Sequence, residues 1–374
     1  MTAALASLRV AGLRSLVDAE LALGTDVTVL IGANGSGKST LVSALELVSR
    51  IWDGSFQEYL EDRGGLERML FAGDPPAQEV TIDLWAAKDH AGVRNGYRAR
   101  LRPSPSGVAR LQETLRLHDT RKYPKRSYDE ELGWATSSQV VRLDQGDRAG
   151  RFASYVRPLL AGCRVFHFDD VSAQAPATRL STVGDDVELR WNAENIAAYL
   201  LKVNLEHPQH YREIVAVVQQ ALPFFQDFVL VPDRSGQVRL RWRQRGLDRT
   251  FLPHEASDGA LRFICLATLL LGPDLPATVV LDEPELGLHP AAIGLLAEMT
   301  RAAGRTGHRV IIATQSVPLL SHYEVGEIAV LEHHQSRTTL TRPDASRLEA
   351  FLDDYSTGSL WEMNLLGGRP GALE

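Results

Sequence analysis

Cysteine is scarce: Cys163 and Cys265 are the two in 374 residues. They are too few and too far apart for a disulfide framework or a cysteine metal cluster. No uninterrupted apolar run approaches the roughly 18 residues of a membrane-spanning helix. The opening MTAALASLRVAGLRS lacks the basic start and long apolar run of a secretory signal. Positive charge is not in excess either. The formal net charge is −7, which excludes a protein that coats nucleic acid through bulk charge. Together these absences set the expectation of a cytoplasmic protein in a reducing compartment, without a membrane. No Ser/His/Asp or Cys/His hydrolase arrangement, internal repeat or low-complexity tract is legible. What the chain does have is apolar material, 44% of residues against 23% charged. That is enough to offset the entropy of ordering and to build one large domain or two smaller ones.

Asp26 to Gly32 reads DVTVLIG, a short apolar run that predicts a buried strand. It is followed by Gly32-Ala-Asn-Gly-Ser-Gly-Lys38-Ser39-Thr40 and then by LVSALELV, in which Leu41, Val42, Leu45 and Val48 recur at helical spacing. Strand, glycine loop and helix are the context that the phosphate-loop motif GxxxxGK[ST] requires. Gly32, Gly35 and Gly37 let the backbone curl until several N–H groups face one point, where the positive end of the helix adds to them. In such a loop Lys38 reaches the β- and γ-phosphates of ATP and Ser39, beside Thr40, places its hydroxyl on Mg2+. Asn34 is a candidate for the γ-phosphate side.

Three further segments predict ends that meet this loop. Thr278–Leu281 reads as a buried strand, and Asp282 and Glu283 follow at once. Asp282 fits the Walker B aspartate of a Mg2+ shell, and Glu283 the base that polarises an attacking water. Arg309–Ser316, RVIIATQS, is another apolar strand with a polar end, and ligands of parallel nucleotide-binding sheets sit at strand carboxyl ends. Upstream, HEASDGALRFICLA predicts a helix that begins near Gly259 and is capped by Ser257 and Asp258. A helix N-terminus of that kind is a second place to hold an anion.

The order of these segments resembles the ABC-type ATPase superfamily: Walker A, a long insertion, a signature serine before a helix, Walker B with glutamate, and a switch strand. SDG and DEPELGLHP resemble the RecF, SMC and OLD-like branch, and the chain is identified as similar to bacterial stand-alone AAA-type ATPases of that branch. The opening LRVAGLRSLVDAELAL is similar to that group's first strand pair, AENIAAYLLKVNLEHPQHYREIVAVVQQALPFFQDF to its arm, and FLDDYSTGSLWEMNLLGGRP to its tail. The resemblance implies an α/β P-loop NTPase, an ABC-type ATPase head with an antiparallel β lobe and a short helical arm insertion. The core is expected in residues 1–50 and 251–335, the β lobe and insertion in 51–190, the arm and a hairpin in 191–250, and the tail in 336–374. It also implies a homodimer closed on ATP, each site combining Lys38, Ser39, Asp282 and Glu283 of one subunit with Ser257 and Gly259 of the other, and Arg262 supporting that surface. Gln315 stands at the switch position where many members have histidine; it can donate to the γ-phosphate but cannot become charged. The Q-loop glutamine is not placed, Gln174 being one candidate.

The resemblance further implies work on DNA, in repair or in defence against phage and plasmids. OLD proteins carry a Toprim nuclease domain after the ATPase. The stretch after Ser316 is too short for one, so the expectation is that a separate nuclease protein supplies any cutting. Two other readings stay open: the nucleotide-binding subunit of an ABC transporter, and a sensor or scaffold that binds ATP but barely hydrolyses it.

The stretch between Thr40 and Ser257 exceeds what a nucleotide core needs. Val80–Trp85 alternates as a strand, and Val93–Arg102 reads as strand-like with an Asn-Gly turn at 95–96. Asp144–Gly150 reads as a polar loop. Ala193–Leu205 and Gln209–Leu222 read as amphipathic helices, and Phe228–Pro232 with Val238–Arg243 as a hairpin. Residues 94–126 hold ten Lys or Arg against two acids. Arg239, Arg241, Arg243 and Arg245 alternate with Val238, Leu240 and Trp242, so they line one strand face. Such a row is either a phosphate-tracking surface for DNA or RNA or a solvated face neutralised by nearby acids. His167, Asp169 and Asp170 read as a strand end rather than metal ligands.

Overall fold

Alternating apolar and polar residues build the first of two large sheets. In the strands Leu5–Leu13 and Leu16–Ala22, Leu8, Val10, Leu16, Ala19 and Leu21 are buried while Arg9, Asp18 and Glu20 face out. The computed structural model describes residues 3–368 other than 25, 145, 171, 173 and 353, so positions 369–374 of the expected tail lie outside the described residues. The sheet continues through Val80–Ala86, Val93–Arg102, Arg110–Asp119 and Tyr128–Glu131. It is antiparallel throughout, in the order second, first, then the remaining four in sequence.

The second sheet has the order Arg337–Thr341, Ile328–His334, Val27–Ile31, Arg309–Ala313, Thr278–Asp282, Cys163–Phe166. All neighbours are parallel except the outermost pair, Arg337–Thr341 with Ile328–His334. Its central strands are almost wholly apolar because both faces are covered, buried Thr28 being the exception in Val27–Ile31. Val29, Ile31, Val279, Leu281, Val310 and Ile312 pack on one side with the helices Ile196–Glu206, Pro208–Ala221, Asp258–Leu271 and Pro290–Arg305. Leu30, Val280, Ile311 and Ala313 pack on the other, with the helix Lys38–Asp53 and the antiparallel sheet. The short helical insertion is therefore folded onto the sheet, with Tyr199, Leu200, Ile214 and Val218 buried.

Three local expectations are corrected. Asn95 and Gly96 form no turn; they lie inside the strand Val93–Arg102. Gly96 sits opposite Trp85, whose ring lies within 2.5 Å of where a Cβ would be, so here glycine makes room for an indole. The polar stretch 144–150 runs into a helix, Arg148–Ala161, capped by Asp147 through a bond from Gly150 N at 2.6 Å. The hairpin exists with other strands. Phe225–Phe228 pairs with Trp242–Gln244, and Gln237–Val238 pairs instead with Ser181–Thr182.

Candidate functional site

The strand Val27–Ile31 delivers its carboxyl end to the glycine loop, and the helix Lys38–Asp53 leaves it. Gly37, at φ 105°, packs so closely that a Cβ there would lie 2.4 Å from the Thr338 hydroxyl. That hydroxyl in turn donates to the Ser36 carbonyl at 2.9 Å. Asn34, Gly35, Ser36, Gly37, Lys38, Ser39, Thr40 and Glu283 line a cavity of about 140 Å³. The Lys38 ammonium is buried and donates to the Gly32 carbonyl at 2.7 Å and the Ala33 carbonyl at 3.2 Å. Burial lowers its pKa, against the pull of Glu283, Asp282 and Glu285. The Ser36 hydroxyl, 3% exposed, has no hydrogen-bond partner among the described residues.

Walker B stands two strands away, at the end of Thr278–Asp282. Burial, with Glu283 and Asp169 adding to it, pushes Asp282 up to about 6. Glu283 adopts φ 42°, a left-handed conformation that costs a non-glycine residue about 1 kcal/mol or more. Its backbone N–H is held by the Ala313 carbonyl at 2.8 Å. Glu285 is 5% exposed and accepts from the Thr314 hydroxyl, and its second oxygen has no hydrogen-bond partner among the described residues. Burial raises its pKa to about 8. A buried ammonium close to the Glu283, Asp282 and Glu285 carboxyls suits a site that takes a divalent cation together with polyphosphate.

The switch strand Arg309–Ala313 ends between the two motifs. Gln315 meets Glu283 through its backbone, N to Oε2 at 3.4 Å, while the residue itself is exposed. Ser257 caps the helix Asp258–Leu271, its hydroxyl accepting from Ala260 N at 3.3 Å. Gly259 abuts the loop after Walker B: a Cβ there would fall 2.0 Å from the Gly287 carbonyl. Ser257 and Asp258 are exposed, and neither Ser257 nor Gly259 lines the cavity around Lys38. One chain thus assembles Gly32–Thr40, Asp282, Glu283 and Gln315 and leaves the serine-capped helix end facing outward.

Two connections escape sequence reasoning. Arg262, 7% exposed, donates to the carbonyls of Phe168 at 3.0 Å, Asp169 at 3.1 Å and Leu286. It ties the signature helix to the loops that follow the edge strand and Walker B. At the end of Cys163–Phe166, beside Walker B, stands His167, with Nε2 3.6 Å from Glu46 and Nδ1 3.9 Å from Asp169. These acids and Asp282 raise its pKa against the opposing effect of burial. Gln174, the candidate Q-loop glutamine, lies in an exposed turn, its N–H bonded to the Ser172 hydroxyl at 3.3 Å, while His167 stands at the strand end. The adjacency of HFDD to a strand was the available signal.

The basic stretches divide. Arg98 and Arg116 pair with Asp83 at 2.7 and 2.6 Å, and Arg100 and Arg102 with Glu79 at 2.9 and 2.7 Å. In the other row Val238, Leu240 and Trp242 are buried and Arg243 and Arg245 exposed, as the alternation predicts. Among the described residues Arg239, Arg241, Arg243 and Arg245 make no ion pair; Arg241 donates to the Val231 carbonyl at 3.3 Å.

Residues 27–321 match the family described as “AAA domain, putative AbiEii toxin, Type IV TA system”. Among curated proteins, a “Putative ABC transporter ATP-binding protein” of Methanosarcina acetivorans is 34% identical over 83 residues, 22% of this chain and 29% of that protein. The energy-coupling factor transporter ATP-binding protein EcfA2 of Lactobacillus johnsonii is 22% identical over 213 residues, 54% of this chain and 72% of that protein. The chain thus spans under a third of the first relative. Among solved structures, the SMC head bound to the C-terminal winged-helix domain of ScpA superposes with a TM-score of 0.64 at 12% identity, over 93% of this chain and 99% of that one. An SMC head with an extended coiled coil, bound to the C-terminal domain of ScpA derived from Pyrococcus furiosus, gives 0.62 at 12% identity, over 94% and 99%. No helix among the described residues is long and apolar enough to cross a membrane.

Proposed function

The chain belongs to the AAA family described as “putative AbiEii toxin, Type IV TA system”, with the fold of an SMC-type ATPase head, and from that premise we propose that it is an ATP-driven switch that closes as a homodimer on ATP and opens on hydrolysis. The carrying observation is the half-built site: the cavity at Lys38 has its loop, its lysine and the Glu283 carboxylate, while the capped helix end at Ser257 is exposed. In this reading the loop N–H groups and Lys38 hold the β- and γ-phosphates, Asn34 reaches the γ side, and the partner copy's helix end supplies the remaining anion contacts. Ser39 and Asp282 would hold Mg2+, which when bound would neutralise phosphate charge. Glu283 orients water for in-line attack, and the Gln315 N–H beside its carboxylate fixes that orientation. The test is the mass in solution of Glu283→Gln with ATP and with ADP. A dimer with ATP alone is expected, and Ser257→Arg should prevent it while nucleotide still binds. A monomer at saturating ATP would overturn the reading.

We further propose that the switch acts on DNA, in repair or in defence against phage and plasmids, in the cytoplasm. The toxin–antitoxin term of the family description supports the defence side. The arginines at 239, 241 and 243, without carboxylate partners among the described residues, are the surface that would track phosphates. Any DNA cutting would come from a separate nuclease, so the purified chain should leave DNA intact. The transporter reading has the names of the two curated relatives in its favour; co-purification with a membrane protein would support it. The exposed Gln315 favours slow turnover, which single-turnover hydrolysis measures directly.

A further inference from the structure

The C-terminal segment returns to the phosphate loop. After the helix Thr357–Glu362 the chain turns through Gly367 and Gly368, both at φ 80°. The Gly368 carbonyl accepts from the Ala33 N–H at 2.7 Å, and the Gly368 N–H donates to Glu332 Oε1 at 2.9 Å. Glu332 belongs to Ile328–His334, the strand paired directly with Val27–Ile31, which leads into the loop. The fit admits no side chain. A Cβ at Gly368 would stand 2.7 Å from Val330 Cγ1 and 3.4 Å from Gly32 Cα, and the left-handed φ also favours glycine.

The place held is specific. Ala33 does not line the cavity, and its N–H bonds the Gly368 carbonyl. The carbonyls of Gly32 and Ala33 take the Lys38 ammonium. The opening peptide of the loop is therefore gripped by Lys38 from within and by the tail from outside. When the ammonium turns toward phosphate, the outer grip keeps the donors converged.

We propose that Gly368 and its anchor Glu332 are positioning residues of the phosphate loop, through which the C-terminal turn sets nucleotide affinity. This rests on the reading that the loop binds ATP. The test is ADP and ATP binding by calorimetry on the full chain, with steady-state hydrolysis, for Gly368→Ala, Glu332→Ala, Glu332→Gln and Lys38→Ala. Freeing one loop peptide should weaken ADP about tenfold in Gly368→Ala and about three- to tenfold in Glu332→Ala. Glu332→Gln, whose amide oxygen still accepts, should bind as the native chain does. In Glu332→Ala the KM for ATP should rise while kcat holds, since Glu283 is untouched; a generally loosened fold would lower both. If Glu332→Ala and Gly368→Ala bind like the native protein while Lys38→Ala does not, the tail has no such role and the nucleotide reading stands. If Lys38→Ala also binds normally, the nucleotide reading itself falls, and this inference with it.

Discussion

Replacing Arg262 by alanine removes a buried guanidinium that serves three carbonyls on two loops. Each hydrogen bond from a charged donor is worth about 1.5–3 kcal/mol when the acceptor is left dry. Leu286 is half exposed and Asp169 faces solvent, so water replaces part of the loss and the net cost comes to about 3 kcal/mol. With an unfolding entropy near 2.1 cal/mol/K per residue, a cooperative chain of this length changes by about 0.8 kcal/mol per degree, so the thermal midpoint should fall by about 4 °C. Lysine can satisfy one carbonyl but has no fork, and should recover less than half. The loops set free flank Asp282 and Glu283, so single-turnover hydrolysis should slow by more than the loss of stability accounts for. Calorimetric melting and rapid-quench hydrolysis of both variants measure this. A midpoint within about a degree of native, with an unchanged rate, would refute the reasoning, because three lost charge-assisted bonds cannot be silent in both.

Glu283→Gln should keep ATP affinity while single-turnover hydrolysis falls by about a hundredfold or more, the scale of a lost base; equal rates would remove Glu283 from that role. Gly259→Ala should destabilise by about 1–3 kcal/mol, because its Cβ would meet the Gly287 carbonyl, as urea melts would show. Asp282 and Glu285 both hold protons more tightly folded than unfolded, at about 6 and about 8. Stability of the nucleotide-free protein should therefore be full below about pH 4 for these groups and fall as pH rises toward about 8. In Glu285→Gln melts across that range, the upper part of the slope should vanish. Changing Arg239, Arg241 and Arg243 to Gln should weaken DNA binding and flatten its salt dependence by up to about three ions; an unchanged slope would mark the row as a solvated face.

The phosphate loop and Walker B were legible because their chemistry is local: glycines, a lysine and a hydroxyl within nine positions, and two acids at the end of one apolar run. What was not legible depends on pairing between distant segments. The basic stretch 94–126 looks uncompensated in sequence because Glu79 and Asp83 lie outside it, and antiparallel register then sets Asp83 opposite Arg98. Asn95-Gly96 has the composition of a turn, and only the facing Trp85 shows why glycine is needed in a strand. The helix Arg148–Ala161 was hidden by its polar first turn and by Pro158 near its end. The bond from Glu283 N–H to the Ala313 carbonyl, Arg262's carbonyls and the contact of Gly368 with Ala33 leave no local signature, since each joins parts of the chain far apart in sequence.

The parallel sheet sends alternate residues into different interiors, Val279 and Leu281 one way and Val280 the other. The two flanks meet across a layer one strand thick and, round its edge, where Arg50 of the helix Lys38–Asp53 stacks over Trp191. A push on the antiparallel flank can reach the helical flank chiefly by tilting these strands, and tilt is largest at their tips. The residues at those tips are the glycine turn, the paired acids and the glutamine, so a displacement of either flank would converge on the same few atoms.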